Sequence, residues 1–289
     1  MRFKAATIAL FSVLFFLPPP VRAQTRALSV AGGNVADDFK YLVDNVQLDV
    51  EDVVTAPLHI TSPNSVLRSP KFYLGVAGAG VLLGGSFALD QTLRSQLHNM
   101  SSSDANLLQS VSYGSVSVST ALLYGYGLYS DDARARQYAL TAGEGAGVAA
   151  LLAEGVKAAF GRLRPGQDHH SHTKFFDGGR SFVSDEVAPM FSLAAGVSEY
   201  FDNTWYVAGP MYSLALLDGL GRMGHDAHWF SDVVGAALLG WGTTELLLYL
   251  HARHAEEPSR WRILPMGPPA GLPDDRNLAS IGCGVAYLW

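Results

Sequence analysis

The chain has 289 residues, of which 48% are hydrophobic and 16% charged, with a formal net charge of −6. This hydrophobicity excludes a disordered chain, thirty glycines without a three-residue period exclude a collagen, and the negative balance excludes a nucleic-acid partner held on a basic face. One cysteine, Cys283, excludes an internal disulfide, a cysteine zinc knuckle and an iron–sulfur cluster. A charged fraction below the usual ~25% fits a membrane protein or a tightly packed helical one.

At the start, Arg2 and Lys4 precede an apolar run from Ala5 to Leu17, followed by three prolines and Val21-Arg22-Ala23. That order predicts a secretory signal over 1–23, cleaved after Ala23. An uncleaved anchor is the alternative, for which the run is short against the ~20 residues of a span. Export would leave the remainder in the cell envelope, periplasmic or associated with the inner membrane, with its working site on the extracytoplasmic side. Residues 24–70 read as an amphipathic arm. Phe39, Leu42, Val43, Val46, Val50, Val53 and Val54 recur at helical spacing between acidic residues, predicting a surface helix with its apolar face on the body. Pro57, Pro63 and Pro70 end it.

Residues 71–255 read as one all-α domain, a bundle of about six helices: Phe72–Leu89, Ala105–Ser130, Ala135–Phe160, Val187–Tyr200, Thr204–Leu217 and Trp229–His251. The first carries Gly75, Gly78, Gly80, Gly84 and Gly85, small residues of the kind that let helix backbones approach. Glu144, Glu154 and Lys157 place charge in the third, which argues for an inward or cavity-facing stripe rather than lipid exposure. A soluble bundle and a membrane bundle both fit. The tail, 256–289, is rich in Pro and Gly and ends in a strand-like segment, Ser280–Trp289. It predicts a hairpin lying on the bundle, with an outer-membrane strand as the alternative.

Two segments carry chemistry. In Lys157-Ala-Ala-Phe-Gly-Arg-Leu-Arg164-Pro165 the two outer cations are seven residues apart, the same direction on a helix that Pro165 would end. They suit a phosphate or another oxyanion, or equally a solvated basic helix end. In Gly221-Arg222-Met-Gly-His225-Asp-Ala-His228-Trp-Phe-Ser-Asp232, His228 and Asp232 lie four apart on one helical face. A carboxylate on one imidazole nitrogen leaves the other free as a nucleophile. The same spacing would allow His225, His228 and Asp232 to ligate a metal, or His228 to be a core histidine. Asp168, His169, His170 and His172 form a polar loop after Pro165, read as a rim over the site mouth or a partial metal site.

Taken together, Lys-x6-Arg-Pro followed by Arg-x5-His-x3-Asp resembles the type 2 phosphatidic acid phosphatase superfamily, which includes bacterial acid phosphatases, lipid phosphatases and vanadium haloperoxidases. The resemblance spans roughly 70–253; Asp90-Gln91 and the Trp229-x-Ser231-Asp232 run also fit it. It implies that Lys157, Arg164 and Arg222 bind phosphate oxygens, that His228 attacks phosphorus, and that Asp232 orients His228. No metal or other cofactor is implied, vanadate entering only as a phosphate mimic.

The chain departs from the family at the middle motif, Pro-Ser-Gly-His, where Val183-Ser184-Asp185-Glu186 stands instead. Ser184 would still touch phosphate. Glu186 occupies the place of the general acid and can substitute for it when protonated, with activity favouring acidic pH; His225 is a lesser stand-in. Alternatively, Ser184, Asp185 and Glu186 start a helix and place two carboxylates among the cations, giving a silent relative with an internal ion-pair network. Three functions are therefore expected in order: a phosphatase of phosphomonoesters or lipid phosphates with membrane contact, a non-catalytic envelope protein binding an anion, lipid or partner, and a vanadate-dependent haloperoxidase.

Overall fold

The computed structural model describes residues 35–55, 70–167, 171–256, 261–266 and 282–287. The expected signal at 1–23 and the loop residues Asp168, His169 and His170 lie outside these. Among the described residues eight helices run in chain order: α1 (Val35–Thr55), α2 (Pro70–Phe87), α3 (Asp90–Leu97), α4 (Ser102–Tyr129), α5 (Ala133–Phe160), α6 (Val187–Tyr200), α7 (Trp205–Gly224) and α8 (Phe230–Glu256). The expected six-helix body is α2 and α4 through α8, with the short α3 added after Asp90. In the tail, β1 (Trp261–Met266) pairs antiparallel with β2 (Gly282–Tyr287), Trp261 opposite Tyr287.

The bundle is arranged around α6. Its residues Val187, Ala188, Met190, Phe191, Ser192 and Ala194 through Ser198 are buried, so it is enclosed on nearly all sides. A helix with so little polar surface belongs at the centre. It packs on α4, α5, α7 and α8, while α2 lies against α8, and α3 against α7 and α8. Helix starts follow capping chemistry: Ser101 Oγ accepts from Asp104 N at 3.1 Å, and Asp132 Oδ1 from Ala135 N at 3.1 Å. Asp132 also accepts from the Tyr200 hydroxyl at 2.7 Å, tying the start of α5 to the end of α6.

Two expectations are corrected. The α2 glycines do not mediate close packing: a Cβ at Gly75, Gly78, Gly80, Gly84 or Gly85 would meet nothing within 4 Å. Close approach occurs in the centre instead, where a Cβ on Gly240 of α8 would lie 2.0 Å from the Ala188 carbonyl oxygen of α6. Nor does α1 turn its apolar face inward. Asp38, Asn45 and Asp49 are buried, while Phe39, Val43 and Val46 are exposed. The reason is a charge on the body. Arg136 of α5 is 2% exposed and needs a counter-ion; Asp38 supplies it at 3.2 Å and also accepts from the Tyr124 hydroxyl at 3.0 Å. Leaving a buried guanidinium without its carboxylate would cost about 3–5 kcal/mol, so the acidic side of α1 is held against the body.

Of the charges expected to avoid lipid on α5, the side chains of Glu144 and Lys157 are 4% and 2% exposed, enclosed by the bundle. Among the described residues one helix, Phe230–Ala252, is long and apolar enough to cross a membrane, and half of it is buried inside the protein.

Gly80→Ala should be neutral or stabilise by up to about 1 kcal/mol through helix propensity. Gly240→Ala should destabilise by about 1–3 kcal/mol or more through overpacking. Urea denaturation of both variants checks the assignment of close packing to α8 rather than α2.

Candidate active site

The site is built from the loop after α5, the turn before α6 and the turn before α8. Helix α5 stops at Phe160, where Gly161 takes φ +50° and its N–H bonds back to Lys157 O. The helix therefore ends five residues before Pro165, and Arg164 lies beyond it, not two turns along it from Lys157. The chain leaving α5 pairs with the segment before α6: Leu163 N donates to Lys174 O, and Ser181 N to Arg162 O, each at 3.0 Å. Gly179 is required there, because a Cβ would sit 2.1 Å from the Arg162 carbonyl oxygen. The turn before α8 joins the same region. Trp229 Nε1 donates to Leu163 O at 2.9 Å, Gly166 N to Asp226 O at 3.0 Å, and Arg94 of α3 grips the Asp226 carboxylate with two 2.9 Å bonds.

Arg162 holds these pieces together. Its side chain is fully buried. Nη2 donates to Asp90 Oδ2 at 2.6 Å, Nη1 to Asp232 Oδ1 and, at 2.7 Å, to Ser231 Oγ, and Nε to His172 O at 3.0 Å. The rings of Phe87, Phe175 and Trp229 lie 4.9, 5.0 and 5.5 Å from its guanidinium carbon, within cation–π range. Arg162 belongs to neither motif, and its only signal in the sequence is a third cation between Lys157 and Arg164.

The nucleophile candidate is held differently from expectation. His228 Nδ1 is 2.8 Å from the Ser181 carbonyl oxygen, but 3.7 Å from Asp232 Oδ2. A carbonyl only accepts, so Nδ1 carries a proton, and in the neutral imidazole that leaves the lone pair on Nε2. Nε2 is buried and has no hydrogen-bond partner among the described residues. Asp232 acts one step removed, accepting from the Ser181 hydroxyl and, at 2.8 Å, from Trp229 N. Burial alone would raise the Asp232 carboxyl, but the His228 imidazole, the Arg162 guanidinium and the Ser181 hydroxyl hold it below the ordinary carboxylate range. His225 points elsewhere, with Nε2 2.9 Å from Asn106 Oδ1, so His225, His228 and Asp232 do not form a ligand set.

Residues 181–186 touch nearly every other predicted group. Ser184 Oγ accepts from Val187 N at 3.3 Å, the helix-starting role anticipated for it, and keeps its own proton to donate. Asp185 forms an ion pair with Lys157, which also meets Glu154 at 3.2 Å; Glu154 in turn pairs with Arg180. Glu186 pairs with Arg222 at 2.6 Å. Two of the three predicted phosphate-binding cations are thus met by carboxylates of this chain. Arg164 is part-exposed, and no described side chain pairs with its guanidinium. Burial opposes ionisation of Asp185, but hydrogen bonding to Lys157 and Glu154 and the Lys157 charge bring its pKa down to about 2.

A third carboxylate, carried by no motif, stands behind them. Asp218, one turn before Arg222 on α7, is fully buried, and neither of its oxygens has a hydrogen-bond partner among the described residues. Burial first, then the charges of Glu186 and Asp185, raise it to about 7 against the attraction of Arg222.

Arg162→Ala should cost about 3–5 kcal/mol in chemical denaturation, because two carboxylates lose their shared counter-ion. Arg162→Lys should not restore this, since an ammonium lacks the planar fork that spans Asp90, Asp232 and the His172 carbonyl. For Asp218, a folded pKa above the unfolded one means that stability is full below about 4 and is lost as pH rises through about 7. Asp218→Asn should therefore gain nothing in melting temperature near pH 4, gain progressively up to about pH 7, and level off above it. A gain independent of pH would contradict this.

No match was found among curated proteins, and none among solved structures. The profile of the PAP2 superfamily matches residues 138–256, a range that contains Lys157, Arg164, Ser184, Arg222, His228 and Asp232. Over residues 138–256 this chain is similar to the PAP2 superfamily.

Proposed function

We propose that the chain is an exported phosphatase of phosphomonoesters or lipid phosphates that works through a phosphohistidine on His228. The PAP2 superfamily supplies the coarser statement, phosphatase-type chemistry on phosphate esters. The observation that carries the finer one is the state of His228: Nδ1–H held by a main-chain carbonyl, and Nε2 buried with its lone pair free. A nucleophile so fixed needs no prior deprotonation.

In the first step Nε2 attacks phosphorus, an N–P bond forms and the ester P–O bond breaks. Glu186, protonated, gives its proton to the leaving oxygen. Water then attacks phosphorus as Glu186 takes its proton, the N–P bond breaks, and phosphate leaves. Lys157, Arg164, Arg222 and the Ser184 hydroxyl hold the equatorial oxygens, where the charge of the transition state accumulates. The reaction draws on no cofactor, and vanadate would bind as a mimic of the phosphoryl group. Entry of phosphate requires Lys157 and Arg222 to exchange Asp185 and Glu186 for substrate oxygens.

Export rests on the first 23 residues. Membrane contact is supported by apolar side chains left in the open: Leu107, Val118, Leu122 and Tyr126 on α4, and Leu74 and Val81 on α2.

The two ion pairs favour one other reading, a non-hydrolytic relative whose cations are neutralised from within. Phosphate release from an aryl phosphate and from phosphatidic acid, from acidic to mildly basic pH, separates the two. The proposal expects turnover with an acidic maximum, reduced at least about a thousandfold in His228→Ala. Equal background in both proteins would establish the silent relative instead.

A further inference from the structure

A second cluster of titratable groups lies away from this site. Glu144 precedes Lys157 by thirteen residues on α5, about 20 Å along the helix at 1.5 Å per residue. His251 stands near the far end of α8. Between them α1 inserts Asp49. His251 Nε2 lies 2.8 Å from Asp49 Oδ2 and 3.4 Å from Glu144 Oε2, and one ligand atom from each of the three lies within 4.8 Å of the others. The side chains of His251, Asp49 and Glu144 are 1%, 7% and 4% exposed.

Glu144 is the least satisfied member of the cluster. Neither of its carboxylate oxygens has a hydrogen-bond partner among the described residues, and no described lysine or arginine pairs with it. A buried carboxylate facing a second one needs either a proton or a cation. The imidazole is oriented for the purpose. Its Nδ1 sits 3.2 Å from the Tyr41 hydroxyl and 3.1 Å from the Thr141 hydroxyl, and this outer contact turns Nε2 toward the two carboxylates. One imidazole nitrogen with two carboxylate oxygens, from three helices, is a donor set for Zn²⁺ or Mn²⁺ rather than for an all-oxygen cation such as Ca²⁺.

We propose that Asp49, Glu144 and His251 form a binding site for a divalent transition-metal cation that fastens α1 to the bundle. The ion would stand between the two carboxylates and the imidazole, and its release would loosen α1 without touching His228. This inference does not depend on the hydrolytic reading.

The test uses the full chain after chelator treatment, titrated calorimetrically with ZnCl₂ and with MnCl₂ at mildly basic pH. Hydrogen exchange of residues 35–55 is followed with and without the ion. The proposal expects one cation per chain, slower exchange in α1 on binding, and affinity at least tenfold weaker in Glu144→Gln, which keeps the shape of the side chain. Asp49→Asn serves as a second variant should Glu144→Gln fail to fold, and the exchange result on the unaltered chain stands without either. Absence of saturable binding, or binding that Glu144→Gln leaves unchanged, would overturn it. Binding with no change in α1 exchange would overturn the fastening role.

Discussion

Arg162 is a fixed positive charge taken wholly out of water, and the architecture around it follows from that constraint. A buried guanidinium is tolerable only where its donors are satisfied and its charge is balanced. Asp90 comes from the start of α3, Asp232 from the first turn of α8, Ser231 from beside it, and the His172 carbonyl from the loop after α5. Three stretches of chain far apart in sequence, around residues 90, 162–172 and 231–232, are thereby brought to one point. Asp232 then binds the Ser181 hydroxyl, and the Ser181 carbonyl takes the proton of His228 Nδ1. The orientation of the candidate nucleophile is thus the last link in a chain that begins at Arg162.

The same six-residue segment that positions His228 also carries the departure from the family pattern. Glycine and histidine would leave the cations open, whereas Asp185 and Glu186 close on Lys157 and Arg222. Each pair is local and electrostatic, and each engages a cation to which the proposed function assigns a phosphate oxygen. The depressed pKa of Asp185 keeps that carboxylate charged across the whole working range, so pH does not free Lys157. Substrate has to compete for it. The position of Asp218 behind Arg222 extends the acidic side of this balance, and its raised pKa ties part of the balance to pH.

Much of this was legible in the chain. Six body helices and the tail strand could be read from apolar runs and breakers, and the outer residues of the two charged motifs from spacing. What escaped did so for physical reasons. The apolar stripe of α1 predicted its inward face, but periodicity carries no information about Arg136, whose buried charge turned the acidic side inward. The α2 glycines looked like a packing surface, yet glycine marks only permission to approach, and the approach is made at Gly240. Arg162 sat between two motif cations and drew no attention, because burial, not residue type, gives it its role. The Asp49, Glu144 and His251 cluster joins residues about a hundred positions apart and has no local signature.

An anion site held shut by its own carboxylates should open when one of them is removed, and binding of inorganic phosphate reads this out. Calorimetric titration of the wild-type chain and of Asp185→Gly should show affinity at least about tenfold tighter in the variant, as expected when a like charge leaves a cationic site. Equal affinities, or no binding by either protein, would contradict the account.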